Sequence, residues 1–313
     1  MLAQAQVRLN MATLAPEGSI WMQAFNDART EIEAATEGAV RVRVFPGGIM
    51  GSEQDVLSKI RMGQLHGGGF MGNAVSSICP DAETLMFPMA LRDYDEVDLS
   101  LEAMHDHLAA SARNNGFEVM GWTEIGFNYA YSTKPIGTLE ELRGTRVWNV
   151  DSRTLSILFS AGNITTIPAT VTDVLPSLQT GALETVFAPP TAAVAVQWHT
   201  RLRYYNEMRL SYSVGGIFLS TAGWNRIPAE HRETVREIFD RHCRLLTTRV
   251  RQSDAEALAF LQQQGVQPIP ASAEVRADFE RIAEEALERA KGRIFSEESW
   301  NLLKETVKEL RGS

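Results

Sequence analysis

The sequence predicts an α/β fold built as two domains, and three observations carry that expectation. Strand-like and helix-like segments alternate along the chain from its start. The length of 313 residues suits two domains or one large one. Residues 228–264 read as one helical run, about 55 Å long at ~1.5 Å per residue, which suits a brace across two domains.

The elements follow in order. "VRLNMAT" (7–13) reads as a buried strand, and Ser19 caps a helix that Gly38 ends. "VRVRVF" (40–45) alternates as a strand with one solvated face, "PGGIMG" turns the chain, and Ser52 caps the next helix. "FEVMGW" and "NYAYST" read as two strands, followed by a helical turn at "GTLEELRG" and a strand at "TRVWNV". A helix at "SRTLSILFSAG" leads to a strand at "NITTIP" and a helix over "TVTDVLPSLQTG". Thr170 or Thr172 caps that helix, and Pro176 sits awkwardly within it. "ALETVFAPP" returns as a strand, "TAAVAVQWHT" as a helix and "VGGIFLST" as the last strong strand. In the long run, Pro228 suits the first turn, and Val235, Ile238, Phe239, His242, Leu245 and Leu246 share one face before Gly265 stops it. Residues 274–311 form two amphipathic helices, and there is no internal repeat.

Composition narrows the class. No stretch approaches 18 consecutive apolar residues, so the chain is not expected to be embedded in a membrane. A formal net charge of −9 argues against general affinity for nucleic acid. The wide separation of Cys79 and Cys243 favours two buried thiols over a bridge. Ala3-Gln4-Ala5 has the small-x-small form of a signal-peptidase site, read either as the remnant of a trimmed signal peptide or as an artificial start.

Catalytic signatures are thin. "GGGFMG" (67–72) matches G-x-G-x-x-G, but a helix precedes it where a nucleotide fold needs a strand. The better reading is a strand or loop that side chains would obstruct. His105 and His107 are two apart, a spacing that suits no metal site on a helix, and neither metal nor cofactor is expected. There is no G-x-S-x-G and no paired acid, which points to a binding protein rather than an enzyme. His199 in "QWHTR" is the one candidate base for a hydrolase alternative, and it lacks an evident orienting partner. A ligand sensor for a signalling partner is the other alternative. Trp122, Trp148 and Phe187 fall at strand ends, where open α/β sheets bind ligands.

Four segments carry a resemblance: "PGGIMGSEQDVLSKIRMGQL" (46–65), "TLEELRGTRV" (138–147), "IPATVTDVLPSLQTGALETV" (167–186) and the W-x-x-I-P-x-E-x-R opening at 224–232. On these the chain resembles the periplasmic solute-binding proteins of TRAP transporters, the DctP-like family. The resemblance implies the two-domain periplasmic-binding-protein fold, with a ligand in the interdomain cleft and a long bridging helix. Domain I would hold residues 1–127 and 215–250, and domain II residues 128–214 and 251–313. It further implies hinge closure, a periplasmic monomer, a small-molecule ligand and delivery to TRAP membrane subunits.

The ligand-binding positions transfer one by one, and here the chain departs from the pattern. Where the family places an arginine that grips a substrate carboxylate, this chain has Trp148; where it places a second basic residue, Asn128. Ala188 stands for an asparagine, Leu14 for a polar residue and Met71 for an acidic one. The expected lining is Trp148, Phe127, Met71, Val171, Ala188 and Leu14, with Asn73, Asn128 and Asn149 as hydrogen-bonding groups. Such a lining suits a larger, less charged or aromatic ligand better than a C4-dicarboxylate. Arg146 is the remaining nearby cation, and Arg153 serves the same purpose if the register slips.

Overall fold

The computed structural model describes residues 6–149 and 152–312. The expected signal remnant Ala3-Gln4-Ala5 lies outside them, as does the side chain of Asn149. The chain forms two compact units. The first gathers Met1–Pro80, Asp106–Glu124 and Val214–Val250, and the second Asp81–His105, Ile125–Ser213 and Arg251–Ser313.

Ten strands run in chain order among the described residues. They are β1 (Val7–Ala12), β2 (Val40–Phe45), β3 (Gly67–Met71), β4 (Phe117–Ser132), β5 (Val147–Asn149), β6 (Thr166–Pro168), β7 (Thr185–Ala188), β8 (Tyr204–Asn206), β9 (Ser211–Ser220) and β10 (Gln267–Ile269). β4, β9 and the helix Ala229–Gln263 each begin in one unit and end in the other.

In the first unit β1 pairs in parallel with β2 and with β3, and β9 runs antiparallel to β3. The alternation read in β2 holds: Val40, Val42 and Val44 are buried while Arg41 and Arg43 are exposed. Side-chain oxygens cap the helices at Ser19 and Ser52 as the sequence implies, whereas Thr170 stands at the N-cap of the helix Val171–Thr180 without a side-chain cap bond. Ser19 accepts the Met22 N–H, and Ser52 forms a reciprocal capping box with Asp55. The core joins Leu9, Met11, Phe25, Ile32, Ile217 and Phe239.

The glycine run is a strand, as expected, and its neighbours explain it. A Cβ on Gly67 would stand 2.2 Å from the Phe218 carbonyl, and one on Gly68 2.3 Å from that of Ala12. No side chain fits there. Both cysteines are free and buried.

In the second unit β5 pairs in parallel with β6 and β7, and β4 runs antiparallel to β7. β8 lies antiparallel to β4 and carries β10 in parallel. The core here joins Tyr131, Trp148, Val174, Leu178, Val186, Trp198 and Leu261.

Several expectations need correction. "FEVMGW" and "NYAYST" are one 16-residue strand, because Gly126 takes φ +110° and lets the chain bend without breaking. "TAAVAVQWHT" is a short helix, Pro190–Ala195, then a 3-10 turn, Trp198–Thr200, separated where Gln197 adopts φ 59°. On the long helix Leu245 is 52% exposed, and Cys243 takes the buried position. The 81–105 segment groups with the second unit, not with domain I as first read. Asp81 accepts the Ser296 N–H at 2.7 Å, Thr84 bonds Ser299 at 2.9 Å, and Phe87 packs edge-on to Phe295 and Trp300. These partners lie near the C-terminus, so no local pattern discloses them.

Candidate functional site

In the first unit the carboxyl ends of the parallel strands gather one set of predicted residues. The loop after β1 carries Leu14, which is 37% exposed. It is tied to the "PGG" turn after β2 by the Gly47 N–H on the Ala15 carbonyl and the Gly48 N–H on the Thr13 carbonyl. Met71 ends β3, half-buried, and Asn73 follows in the helix Gly72–Ile78.

Sequence reading missed a neighbour of Met71. Glu53, the first residue of the helix Glu53–Arg61, accepts the Met71 N–H at 3.0 Å. Burial raises its carboxyl to about 7, and the Met71 hydrogen bond only partly opposes that. The residue therefore exchanges a proton near neutral pH. Its position after a serine cap marked it in the sequence only as a helix-start acid.

In the second unit the carboxyl ends of β5, β6 and β7 gather another set. Ala188 closes β7 and pairs with Tyr129, which brings Asn128 and Phe127 next along β4. Phe127 is buried between Tyr94, at 5.1 Å, and Tyr212, at 5.4 Å. The Asn128 amide nitrogen donates to the hydroxyls of Ser211 and Ser213 at 3.1 and 2.8 Å, so it ties the sheet together. Val171 opens the helix Val171–Thr180 and is 52% exposed. Asn149 ends β5 opposite Pro168.

Trp148 is only 6% exposed. Its indole N–H donates to the Ala169 carbonyl at 3.0 Å, and its ring meets Trp198 edge-on at 5.2 Å. The tryptophan thus belongs to the core of this unit and ties β5 to Ala169.

Arg146 is not brought to this set. Its Nε donates to the Gly181 carbonyl at 2.7 Å, and its guanidinium pairs with Glu184 at 2.9 Å, at the opposite end of β5 from Asn149. Lys134 reaches the same carboxylate at 2.6 Å. Burial works against the ionised Glu184, but these cations and the Arg146 N–H outweigh it and hold the carboxyl below its ordinary value. Arg146 is therefore spoken for as a ligand cation.

His199 packs edge-on against Phe260 at 5.4 Å, and its Nδ1 has no hydrogen-bond partner among the described residues. Without an orienting carboxylate it lacks the arrangement of a catalytic base. No group of three or more potential metal ligands occurs among the described residues. No helix among them is long and apolar enough to cross a membrane.

A solute-binding protein of Chromohalobacter salexigens is 23% identical over 211 residues, covering 66% of this chain and 62% of the relative. The chain thus matches under two thirds of that relative's length. A TRAP periplasmic solute-binding protein from Ochrobactrum anthropi, with its C-terminus bound in the ligand pocket, has the same fold at TM-score 0.90 and 19% identity. That match covers 98% of this chain and 96% of the other. One from Roseobacter denitrificans, with bound β-D-glucuronate, superposes at TM-score 0.82 and 18% identity over 95% and 99% of the two chains. The model of the bacterial extracellular solute-binding proteins, family 7, matches residues 11–293, and the chain belongs to that family.

Proposed function

We propose that this chain is the periplasmic receptor of a TRAP transporter. It captures an organic acid with a substantial apolar or aromatic body and passes it to the membrane subunits as a monomer. Ligand binding would shift the population toward the state that the membrane partner recognises.

One observation carries the ligand class. Trp148 occupies the position where the resemblance expects a carboxylate-gripping arginine, and it is buried and hydrogen-bonded there. An unpaired buried carboxylate costs several kcal/mol, so the acid group must be met elsewhere. Leu14, Met71 and Val171 supply accessible apolar surface for the ligand body. Glu53 supplies a carboxyl that is readily protonated at neutral pH, able to donate to an acid instead of repelling it. The glucuronate bound by the Roseobacter relative supports an organic acid as the cargo class.

Native mass spectrometry of the purified protein tests this reading. The expected result is a non-covalent adduct of one small organic acid, whose addition to stripped protein raises the melting temperature. Uptake of that compound in vesicles carrying TRAP membrane subunits should then depend on the receptor. Failure of any organic acid in a metabolite library to bind would overturn the proposal.

A further inference from the structure

The second unit contains a cavity that none of the predicted positions lines. Its volume is about 350 Å³. β4 supplies Tyr129, β8 supplies Tyr205, and the segment after β8 supplies Glu207 and Arg209. Arg92 and Arg276 complete its charged lining.

The electrostatics are unbalanced in a chain whose overall charge is negative. Three guanidinium groups face one carboxylate, that of Glu207. Arg92 is neutralised by Glu280 at 3.2 Å. Arg209 and Arg276 have no carboxylate partner among the described residues. Arg209 is instead held in place by neutral groups. Its guanidinium lies 5.1 Å from the Phe127 ring centroid and 5.3 Å from that of Tyr94, and its Nε donates to the Tyr129 phenol oxygen at 3.2 Å. A half-buried cation fixed by ring faces and left without a counter-ion is preorganised for an anion from solution.

The phenols point to the same chemistry. Tyr129 accepts from Arg209, and Tyr205 accepts from Gln262 Nε2 at 2.7 Å. With those oxygens engaged as acceptors, both O–H groups remain as donors. Two unpaired guanidiniums and two hydroxyl donors match a ligand with two carboxylates. We propose that this cavity is a second ligand site, distinct from the predicted solute-binding positions, that takes a small dicarboxylate. The proposal stands on this lining and does not depend on the transport reading.

Isothermal titration of the full chain at low ionic strength tests it, with succinate, its uncharged diamide succinamide, and inorganic phosphate as probes. Succinate should bind, succinamide should not, and phosphate should bind about tenfold more weakly. Arg209→Gln and Arg276→Gln should each weaken succinate about tenfold, the loss expected of one charge-assisted pair. Glu207→Gln removes the opposing carboxylate from an exposed position and should tighten succinate several-fold, an outcome that misfolding cannot imitate. The site is overturned if succinate does not bind, if succinamide binds as well, or if both arginine variants and Glu207→Gln leave the affinity unchanged. Phosphate binding as tightly as succinate overturns the dicarboxylate assignment.

Discussion

Individual side chains set the sharpest expectations. Trp148→Ala should destabilise the chain by about 3–5 kcal/mol, the range for emptying an aromatic site in a core, as read by urea denaturation. A change below about 1 kcal/mol would show that the indole is not packed as described. Glu53 links ligand and pH. Its carboxyl sits at about 7 in the folded chain against an ordinary 4.5, so the native state holds a proton that the unfolded state releases. That stabilising contribution is complete below pH 4.5 and is lost as pH rises through about 7. Glu53→Gln keeps an acceptor for the Met71 N–H and should flatten stability across this window, measured by denaturation at several pH values. In the proposed receptor, affinity for the acid should also be stronger at pH 6 than at pH 8, and the same substitution should abolish the difference. Arg209 shows why such residues escape sequence reading. It lies between two strands, and its value comes from Phe127, Tyr94 and Tyr129, which are 80 or more positions away.

At the scale of elements, caps and periods were legible because their causes are local. Ser19 and Ser52 each cap the helix that follows within a few residues. The short strands β8 and β10 were not legible, since three residues carry no period and each exists only through its partner. The two strand-like segments "FEVMGW" and "NYAYST" belong to one strand, β4. Gly126 in fact lets one strand continue, at φ +110°, with a Cβ position only 2.0 Å from Asp254 Oδ2. Asp254 is held there by Thr191, whose hydroxyl donates to it at 2.7 Å. Gly126→Ala should therefore cost more than the roughly 1–3 kcal/mol of backbone strain alone. A thermal melt like that of the parent protein would show that the strand can bend elsewhere. The cysteines offer a milder check. Cys243 is fully buried and its thiol is pushed up in pKa, so it should react with a thiol reagent only as the chain unfolds.

For the molecule as a whole, the sequence disclosed the α/β class and the long helix, yet it misassigned residues 81–105. That segment joins the second unit through contacts with residues some 215 positions later, beyond the reach of any local rule. The candidate site was legible in part. The family resemblance marked Met71, Val171 and Ala188, whereas Glu53 and the role of Trp148 depend on burial. Deleting Arg251–Ser313 should unfold more than the C-terminus, because it strips the second unit of Leu261, Phe279, Phe295 and Leu303, all buried. Circular dichroism and solubility of the truncated chain would check this, and a monomeric product with native-like signal would contradict it.

The discontinuous units also order events in time. The first unit is complete only once residue 250 has been synthesised, and the second only at the C-terminus. Neither can close early on the ribosome, as an N-terminal domain usually does. In the proposed periplasmic receptor, the nascent chain would then stay threadable through much of its synthesis, the condition a polypeptide needs if it is to cross a membrane before it folds.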